Sequence, residues 1–409
     1  MRLFFIIMSL TAIISCTKAD DTEEVSKPDY RKFNSFSDFS SVITKLASDA
    51  DNTKINVFWD SLVNNHQVPF IYGDSVAFLY KGNVSSVKWA GDFNGWDPDE
   101  AGYTGKLLGN GIWMLVKEFP NDARLDYKIV IEGNNWITDA ANPFVQYSGF
   151  GPNSELRMPG YIYPQETIYN EETPKGTLSE NKMIISNSSN LGYKVQYKVY
   201  TPYNYENLID LPVIYVTDGH EYANKDLGAM IIILDNLISQ QMIEPVIAVF
   251  IDPRNPDNTG INRRMSEYAA NIKFANFVAD ELVPLVDSEY KTNASPDKRA
   301  ILGTSMGGWN AAFFGLERSD KFHLIGIHSP AFDNNIIQQY QTSEKLPLKI
   351  FMSTGVISDT QVKARQMKEV FTSKGYPISY IEVNQGHSWG NWKSLTKQPL
   401  EYFFGVSNN

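Results

Sequence analysis

The stretch that decides the fold is Arg-Ala-Ile-Leu-Gly-Thr-Ser-Met-Gly-Gly-Trp, residues 299–309. An apolar run ends abruptly at Gly303, and small residues typical of a helix follow Trp309. A Gly-x-Ser-x-Gly motif between a strand and a helix is typical of a nucleophile elbow, a tight turn that lifts the serine hydroxyl clear of the sheet. The pattern therefore predicts that Ser305 is a nucleophile; the alternative is a glycine-rich helix start with a serine cap.

A nucleophilic serine needs a base, and the base needs an acid that orients it. In a strand–elbow–helix context both follow the serine along the chain, with the acid before the histidine. His387 lies in a loop directly after an alternating strand and is the predicted base. Asp359 is the carboxylate in the loop after the apolar run 348–352 and is the predicted acid, although a helix cap is the alternative role. Asp333, after the preceding strand, is the alternative acid.

Three further side chains are predicted to lie near this serine. His328 ends the strand that follows the elbow and is predicted to line the cleft. Trp389 follows the predicted base by two residues and is predicted to contact substrate. Arg264 most simply forms a salt bridge with Glu267 that holds a cleft loop, and substrate contact is the alternative.

From about residue 183 to the C-terminus the chain resembles the esterase D-like group of α/β-hydrolases, which includes feruloyl, acetyl-xylan and enterochelin esterases. Six blocks in chain order carry the resemblance: residues 197–202, 213–222, 250–253 with 264–268, 277–284, the elbow, and 386–387. The resemblance implies an α/β-hydrolase fold, a Ser-His-Asp triad and no cofactor. It also implies that the backbone N–H groups of Met306 and His220 form the oxyanion hole.

Composition narrows the classes of function. The 409 residues carry 36 Lys and Arg against 47 Asp and Glu, a net charge of −11, and 13% aromatic residues. An acidic chain without a basic stretch makes nucleic acid an unsuitable partner. No Cys/His cluster with metal-ligand spacing and no Gly-rich phosphate cradle occurs, so neither metal nor cofactor is expected. The length suffices for two domains with a substantial core.

The N-terminus carries the one cysteine of the chain. Twelve apolar residues, 3–14, follow Met1 and Arg2 and are too few to span a bilayer, but they suit a signal peptide. Residues 13–16 resemble a bacterial lipobox, which implies a signal peptide over 1–15 and a lipid anchor on Cys16. The alternative is an ordinary signal peptide. We expect an exported outer-membrane lipoprotein, at the cell surface, with an acidic flexible tether over 16–32.

A separate unit is predicted between the tether and the hydrolase. Apolar residues at helical spacing predict a short helical segment over 33–70, and alternation bounded by Gly, Asn and Asp predicts a small all-β, immunoglobulin-like sandwich over 71–163. A linker over 164–182, rich in Glu, Thr and Asn, leads to the hydrolase domain, 183–409. The predicted fold class is therefore α/β, with an α/β-hydrolase domain behind a β-sandwich.

Residues 91–98, with 127–128, 133–136 and 139–143, resemble the glycogen-binding and isoamylase N-terminal type of carbohydrate-binding module. In its sugar-binding members two tryptophans, a lysine and an asparagine form the site. The matching positions here are Trp96, Trp136, Lys128 and Asn153. Aromatic rings suit the apolar face of a sugar. The alternatives are that the domain only packs, or that it roofs the catalytic cleft.

The sequence thus favours a serine carboxyl-ester hydrolase at the cell surface or in the periplasm, acting through an acyl-enzyme on feruloyl or acetyl esters of plant polysaccharides or oligosaccharides. A rival substrate is the trilactone of a catecholate siderophore, because helical and sandwich segments before this hydrolase also resemble enterochelin esterases. A second class of function is a carbohydrate-binding surface lipoprotein with an idle hydrolase domain. The oligomeric state stays open.

Overall fold

Residues 33–406 are described by a computed structural model of the chain. The predicted signal peptide, Cys16 and the acidic tether lie outside the described residues. Within 33–406 no helix is both long and apolar enough to cross a bilayer.

Two helices open the described part, α1 (Phe36–Ala47) and α2 (Thr53–Asn64). Both cover one sheet of the N-terminal unit. Phe39 and Ile43, one turn apart on α1, are fully buried, and the ring of Phe39 stacks on that of Phe70 with centroids 3.7 Å apart. The helical spacing of apolar residues therefore produces an apolar face that anchors α1 to the sheet.

Nine strands in two antiparallel sheets follow: β1 (Phe70–Tyr72), β2 (Ser75–Lys81), β3 (Val87–Gly91), β4 (Lys106–Gly109), β5 (Ile112–Glu118), β6 (Arg124–Ile131), β7 (Asn135–Ile137), β8 (Val145–Ser148) and β9 (Gly151–Arg157). One sheet has the order β1-β2-β5-β4. The other has the order β3-β6-β9-β8, and β7 pairs with β6. We call this unit, with its connecting turns, the sandwich.

The two faces of β6 differ in chemistry because successive side chains of a strand point to opposite sides. Leu125, Tyr127 and Ile129 belong to the apolar core between the sheets. Arg124 and Asp126 point the other way and are buried without joining that core. This polar face packs against the hydrolase, as described below.

The hydrolase contains a nine-stranded sheet. Its strands are β10 (Thr177–Leu178), β11 (Lys182–Ile185), β12 (Lys194–Thr201), β13 (Val213–Val216), β14 (Ile247–Asp252), β17 (Arg299–Thr304), β18 (Leu324–His328), β19 (Lys349–Gly355) and β20 (Ile378–Val383), and a separate hairpin is formed by β15 (Arg254–Asn255) and β16 (Asn258–Asn262). The order is β10-β12-β14-β13-β17-β18-β19-β20, with β11 on β12. All pairs from β14 to β20 are parallel. The predicted linker 164–182 is thus shorter in the structure, because β10 already belongs to this sheet.

Helices cover both faces of the sheet: α3 (Gly219–Tyr222), α4 (Met230–Ser239), α5 (Arg264–Tyr268), α6 (Ile272–Phe277), α7 (Val283–Glu289), α8 (Met306–Glu317), α9 (Asn334–Thr342), α10 (Gln361–Ser373), α11 (Trp389–Leu395) and α12 (Lys397–Phe404). Val213 and Tyr215 of β13 enter one core, and Ile214 and Val216 enter the other. A parallel strand buried on both faces reads as a continuous apolar run. The carboxyl ends of β13, β17, β19 and β20 therefore meet at one edge, where α/β sheets bind ligands.

Candidate active site

The elbow places Ser305 between β17 and α8. Its backbone has φ +57° and ψ −117°, a conformation that side-chain-bearing residues rarely adopt and that is common at functional sites. A Cβ on Gly303 would overlap the backbone of Gly307, so the turn closes only around glycine. The N–H of Ser305 donates to the carbonyl of His328, 2.9 Å away, which ties the turn to the next strand.

Three predicted side chains meet at this turn. The Oγ of Ser305 lies 2.9 Å from Nε2 of His387. The Nδ1 of His387 lies 2.6 Å from Oδ1 of Asp359. The chain of contacts is therefore continuous from hydroxyl to imidazole to carboxylate, although these residues come from three separate loops. In this arrangement the imidazole can take the serine proton while the carboxylate fixes its tautomer.

Asp359 is held by several donors. Its Oδ2 accepts from the hydroxyl of Ser329 and the backbone N–H of Gly355, both at 2.6 Å, and from the amide of Asn391 at 3.4 Å. Its Oδ1 also accepts from the N–H of Thr360 at 2.7 Å. These bonds fix the carboxylate so that Oδ1 faces the imidazole.

Asp333, the alternative acid, has a different position. It is the N-cap of α9, and its Oδ1 accepts from the backbone N–H of Ile336 at 2.9 Å. Its carboxylate satisfies a helix terminus, a local role for Asp. The structure therefore places Asp359, and not Asp333, against His387.

The two predicted oxyanion donors lie in the first turns of two helices. Met306 is the first residue of α8, and His220 is the second residue of α3. Backbone N–H groups in the first turn have no acceptor within the helix and can bind an anion. The imidazole of His220 lies 3.4 Å from the carboxylate of Asp252, and burial lowers the pKa of His220 to about 4. That side chain is therefore neutral at neutral pH.

A cavity of about 460 Å³ opens above the serine. Its lining residues come from both parts of the chain: Asp92, Gly95 and Trp96 from the sandwich, and Ser305, Ala331, Ser358, Asp359, Thr360 and His387 from the hydrolase. The turn after β3 thus forms a wall of the site.

Asp92 is the buried acid of that wall. Its Oδ1 accepts from the indole N–H of Trp96 at 3.1 Å, and its Oδ2 accepts from the backbone N–H of Asp126 at 2.8 Å. Burial, with the nearby charge of Asp126, raises the pKa of Asp92 to about 7. Asp92 also fixes the indole of Trp96 beside the cavity.

The structure overturns two of the predicted substrate contacts. His328 is 0% exposed; its Nδ1 lies 2.7 Å from the hydroxyl of Ser353, and burial lowers its pKa to about 3. It supports the elbow through its carbonyl and does not line the cleft. Trp389 is 3% exposed, its indole donates to Glu221 at 3.2 Å, and it packs edge-on against Tyr222. It is a core residue.

Arg264 has a different partner from the predicted one. Its Nε donates to both carboxylate oxygens of Asp218 at 2.9 Å, and Nη2 donates to the carbonyl of Thr304 at 3.2 Å. Glu267 instead accepts from the hydroxyl of Tyr193 at 2.9 Å. The predicted Arg264–Glu267 salt bridge is therefore wrong, and Arg264 braces the end of β13 against the elbow.

The four predicted sugar-binding residues have unlike surroundings. Trp96 lines the catalytic cavity, and Asn153 is buried with its amide donating to Asp126 at 3.1 Å. Trp136, on β7, is 40% exposed, and Lys128 on β6 is half-buried. Asn153 therefore does not face a free surface, and sugar binding by Trp136 and Lys128 stays a prediction.

Sequence reasoning missed the residues that support the site. Asp92 and Arg124 of the sandwich, and Ser329 and Asn391 of the hydrolase, were given no role. Asp92 stands inside the block 91–98 and Asn391 follows His387 by four residues, so their proximity to these motifs was the available signal. Within residues 33–406 no group of three or more His, Cys, Asp or Glu could hold a metal ion.

Comparisons with known proteins show the family and the fold of the chain. Residues 188–401, more than half of the chain, match the esterase family described as "Putative esterase". The uncharacterized protein YjcH of Bacillus subtilis (strain 168) is 26% identical over 241 residues, which cover 55% of this chain and 97% of that protein. The endo-1,4-beta-xylanase/feruloyl esterase of Xylanibacter ruminicola is 25% identical over 231 residues, 54% of this chain but only 30% of that protein.

Two solved structures share the fold over more of the chain. The enterobactin esterase of Shigella flexneri superimposes with a TM-score of 0.65 at 19% identity, covering 80% of this chain and 92% of that one. The ferric enterobactin esterase of Salmonella typhimurium gives 0.67 at 17% identity, covering 80% and 93%. These likenesses show an α/β-hydrolase-like esterase fold. The chain belongs to the esterase family and is a carboxylic ester hydrolase.

Proposed function

We propose that this esterase uses Ser305 as nucleophile, His387 as general base and Asp359 as the acid that orients the base. The observation that carries the proposal is the unbroken chain of contacts from serine to histidine, 2.9 Å, and from histidine to aspartate, 2.6 Å. Two further observations support the same assignment. The backbone of Ser305 is strained, and Asp333, the alternative acid, caps a helix through the backbone N–H of Ile336.

The steps follow from the geometry. Nε2 of His387 accepts the serine proton while Oγ of Ser305 bonds to the ester carbonyl carbon. The negative charge that forms on the carbonyl oxygen is stabilised by the N–H groups of Met306 and His220. When the tetrahedral adduct collapses, the C–O bond to the alcohol breaks and His387 returns its proton to the leaving oxygen. Water then attacks the acyl-enzyme by the same route and releases the acid.

For the substrate we propose acylated plant polysaccharides or their fragments, with feruloyl or acetyl esters. The indole of Trp96, fixed by Asp92 at the cavity wall, offers an aromatic surface next to the serine. Such a surface suits a planar aromatic acyl group or a sugar ring. The feruloyl esterase named among the relatives supports this class. A cell-surface anchor on Cys16, which we also propose, suits a substrate too large to enter a cell.

The trilactone of a catecholate siderophore is the second candidate. Its support is the shared two-part architecture, which covers 80% of this chain. Charge favours the first candidate. An iron tris-catecholate is an anion, and among the described residues no Lys or Arg lines the cavity to balance its charge.

Replacing Ser305 by alanine tests the mechanism. Ser305→Ala is expected to unfold at the temperature of the wild type and to lose about a millionfold in kcat, as nucleophile removal does in serine hydrolases. A fluorophosphonate probe is expected to label the wild type at Ser305 and to leave the variant unlabelled. Substantial turnover by the folded variant would refute the assignment.

The substrate class is tested by a parallel comparison of methyl ferulate, nitrophenyl acetate, a feruloylated xylan oligosaccharide and an iron-loaded catecholate trilactone. We expect the highest kcat/KM for the feruloylated oligosaccharide. Preference for the trilactone would move the substrate to the second candidate without affecting the mechanism.

A further inference from the structure

The loop that carries His387 is attached to the sandwich. Asn384 donates its amide to Asp122 at 2.7 Å, and the carbonyl of Asn384 accepts from the backbone N–H of Arg124 at 3.2 Å. On the other side of the histidine, the guanidinium of Arg124 donates to the hydroxyl of Ser388 at 3.1 Å. The partners are more than 250 residues apart in sequence, yet they bracket the predicted base.

The backbone of this loop also packs directly on Asp92. A Cβ on Gly386, the residue before His387, would overlap the carboxyl group of Asp92. Likewise a Cβ on Gly390 would overlap the guanidinium of Arg124. Because both positions are glycine, the backbone around His387 can approach Asp92 and Arg124 closely. At this short distance the sandwich limits where His387 can lie.

Arg124 is itself held rigidly. It is fully buried, pairs with Asp126, and donates its Nε to Glu155 at 2.6 Å. Glu155 also accepts from Arg157 at 2.7 Å. Burial alone would raise the pKa of Glu155, but the two arginines offset this and hold it at about 2. A buried ion pair adds little net stability, so stability alone does not account for this cluster. The cluster fixes the guanidinium of Arg124 where it contacts Ser388.

The loop of the predicted acid reaches the same domain. Ile357, two residues before Asp359, packs against the apolar core of the sandwich. The N–H of Ile357 donates to the carbonyl of Gln385 at 3.2 Å, which joins the acid loop to the histidine loop. Both loops are therefore fixed to the sandwich and to each other.

We propose that the sandwich is a positioning part of the esterase site, in which Asp92, Asp122 and Arg124 set the position of His387 relative to Ser305. The inference rests on the proposed function, since it takes His387 as the base. Loops are the mobile parts of an α/β fold, and catalytic groups must be held within about 0.5 Å of the productive geometry. The sandwich supplies that restraint, so the hydrolase depends on it for turnover.

The test uses the full-length chain and nitrophenyl acetate, an ester too small to need the sandwich for binding. Gly386→Ala is expected to lower kcat about a hundredfold, because the new methyl group displaces His387 by about 1 Å, and to leave KM near the wild-type value. In the double variant Gly386→Ala/Asp92→Gly, which removes both the carboxyl group and the Cβ of Asp92, the space is restored, and kcat is expected to recover at least tenfold over the single variant. Ser388→Ala, which removes the Arg124 contact, is expected to lower kcat severalfold.

Gln146→Ala is the matched control. Gln146 also joins the sandwich to the hydrolase, through Lys393 at 2.6 Å and the carbonyl of Asp226 at 3.1 Å, but it does not touch the histidine loop. It is expected to lower the melting temperature and to leave kcat unchanged. Titration of active sites with a fluorophosphonate separates loss of folded enzyme from loss of rate.

The outcomes distinguish a failure of the proposed function from a failure of the positioning role. Activity in Ser305→Ala or His387→Ala refutes the proposed function itself. If those variants are inactive but folded Gly386→Ala keeps wild-type kcat, or loses it without recovery in the double variant, only the positioning role is overturned. Equal loss of kcat in Gln146→Ala would also overturn it, because any interdomain contact would then have the same effect.

Discussion

The elbow of Ser305 and the loop of His387 supply adjacent atoms of one site, but they are built differently. The elbow is formed by neighbours in sequence: Gly303 and Gly307 close the turn, and the carbonyl of His328 on the adjacent strand secures it. The histidine loop contacts Asp92 and Arg124, which belong to the sandwich and lie more than 250 residues earlier.

The difference shows which part of the site depends on the packing of the two domains. The elbow depends on its own glycines and on the adjacent strand of the same sheet. A histidine held by a separate domain has a position that depends on how the two parts pack. In our proposal the nucleophile therefore depends on the hydrolase alone, and the productive serine–histidine pair depends on both domains.

Among the changes that test this comparison, the largest effect is expected at the acid that contacts the histidine loop. Asp359→Asn is expected to lower kcat about 10⁴-fold, because an amide at this position favours the wrong imidazole tautomer. Asp333→Asn is the matched control, since asparagine is also a good helix cap and the carboxylate there contacts only a backbone N–H. Its kcat is expected to equal that of the wild type. The reverse ranking, in folded variants, would transfer the acid to residue 333.

The parts of the site that the sequence predicted are those encoded locally. The elbow, with its strand before and helix after, predicted the position of Ser305 at the sheet edge. The chain order of serine, acid and histidine then led to Asp359 and His387, and the structure brings these three side chains into contact. Their catalytic roles stay predictions until the variants above are measured.

The predictions that failed depended on packing. His328 ends β18 and Trp389 begins α11 close to the site in sequence, but the packing of the core decides where each side chain points, and both are buried. Arg264 was paired with Glu267 on spacing, yet a carboxylate from another loop, Asp218, lies closer to its guanidinium. Sequence spacing predicts neighbours along one element and does not predict partners between elements.

A smaller effect is expected at the cavity wall. Trp96→Ala removes the aromatic surface beside Ser305, and we expect KM for methyl ferulate to rise about tenfold, as loss of one aromatic contact costs about 1 kcal/mol or slightly more. KM for nitrophenyl acetate is expected to change less. Trp136→Ala, on the far strand β7, is the control and is expected to change neither constant. Weaker polysaccharide binding by Trp136→Ala alone would favour the separate sugar site.

The last expected effect is a change in the free energy of unfolding with pH, which compares the elbow with the histidine loop. The elbow is secured by backbone groups, whereas Asp92, which contacts the histidine loop, has a pKa raised to about 7 by burial and by Asp126. An acid with a raised pKa binds its proton more tightly in the folded than in the unfolded protein. Its contribution to the free energy of unfolding is therefore full below about pH 4 and is lost as the pH rises towards 7.

Asp92→Asn isolates this contribution, because other buried acids such as Glu221 titrate in both proteins and cancel in the difference. The wild type is expected to be more stable relative to the variant at pH 5 than at pH 8, as measured by urea unfolding. Arg124 and Asp126 face Asp92, and burial also raises the pKa of Asp126, so the change in slope reports the interacting pair of Asp92 and Asp126. A difference in stability that is independent of pH between 5 and 8 would mean that Asp92 does not titrate in this range, which would overturn the prediction.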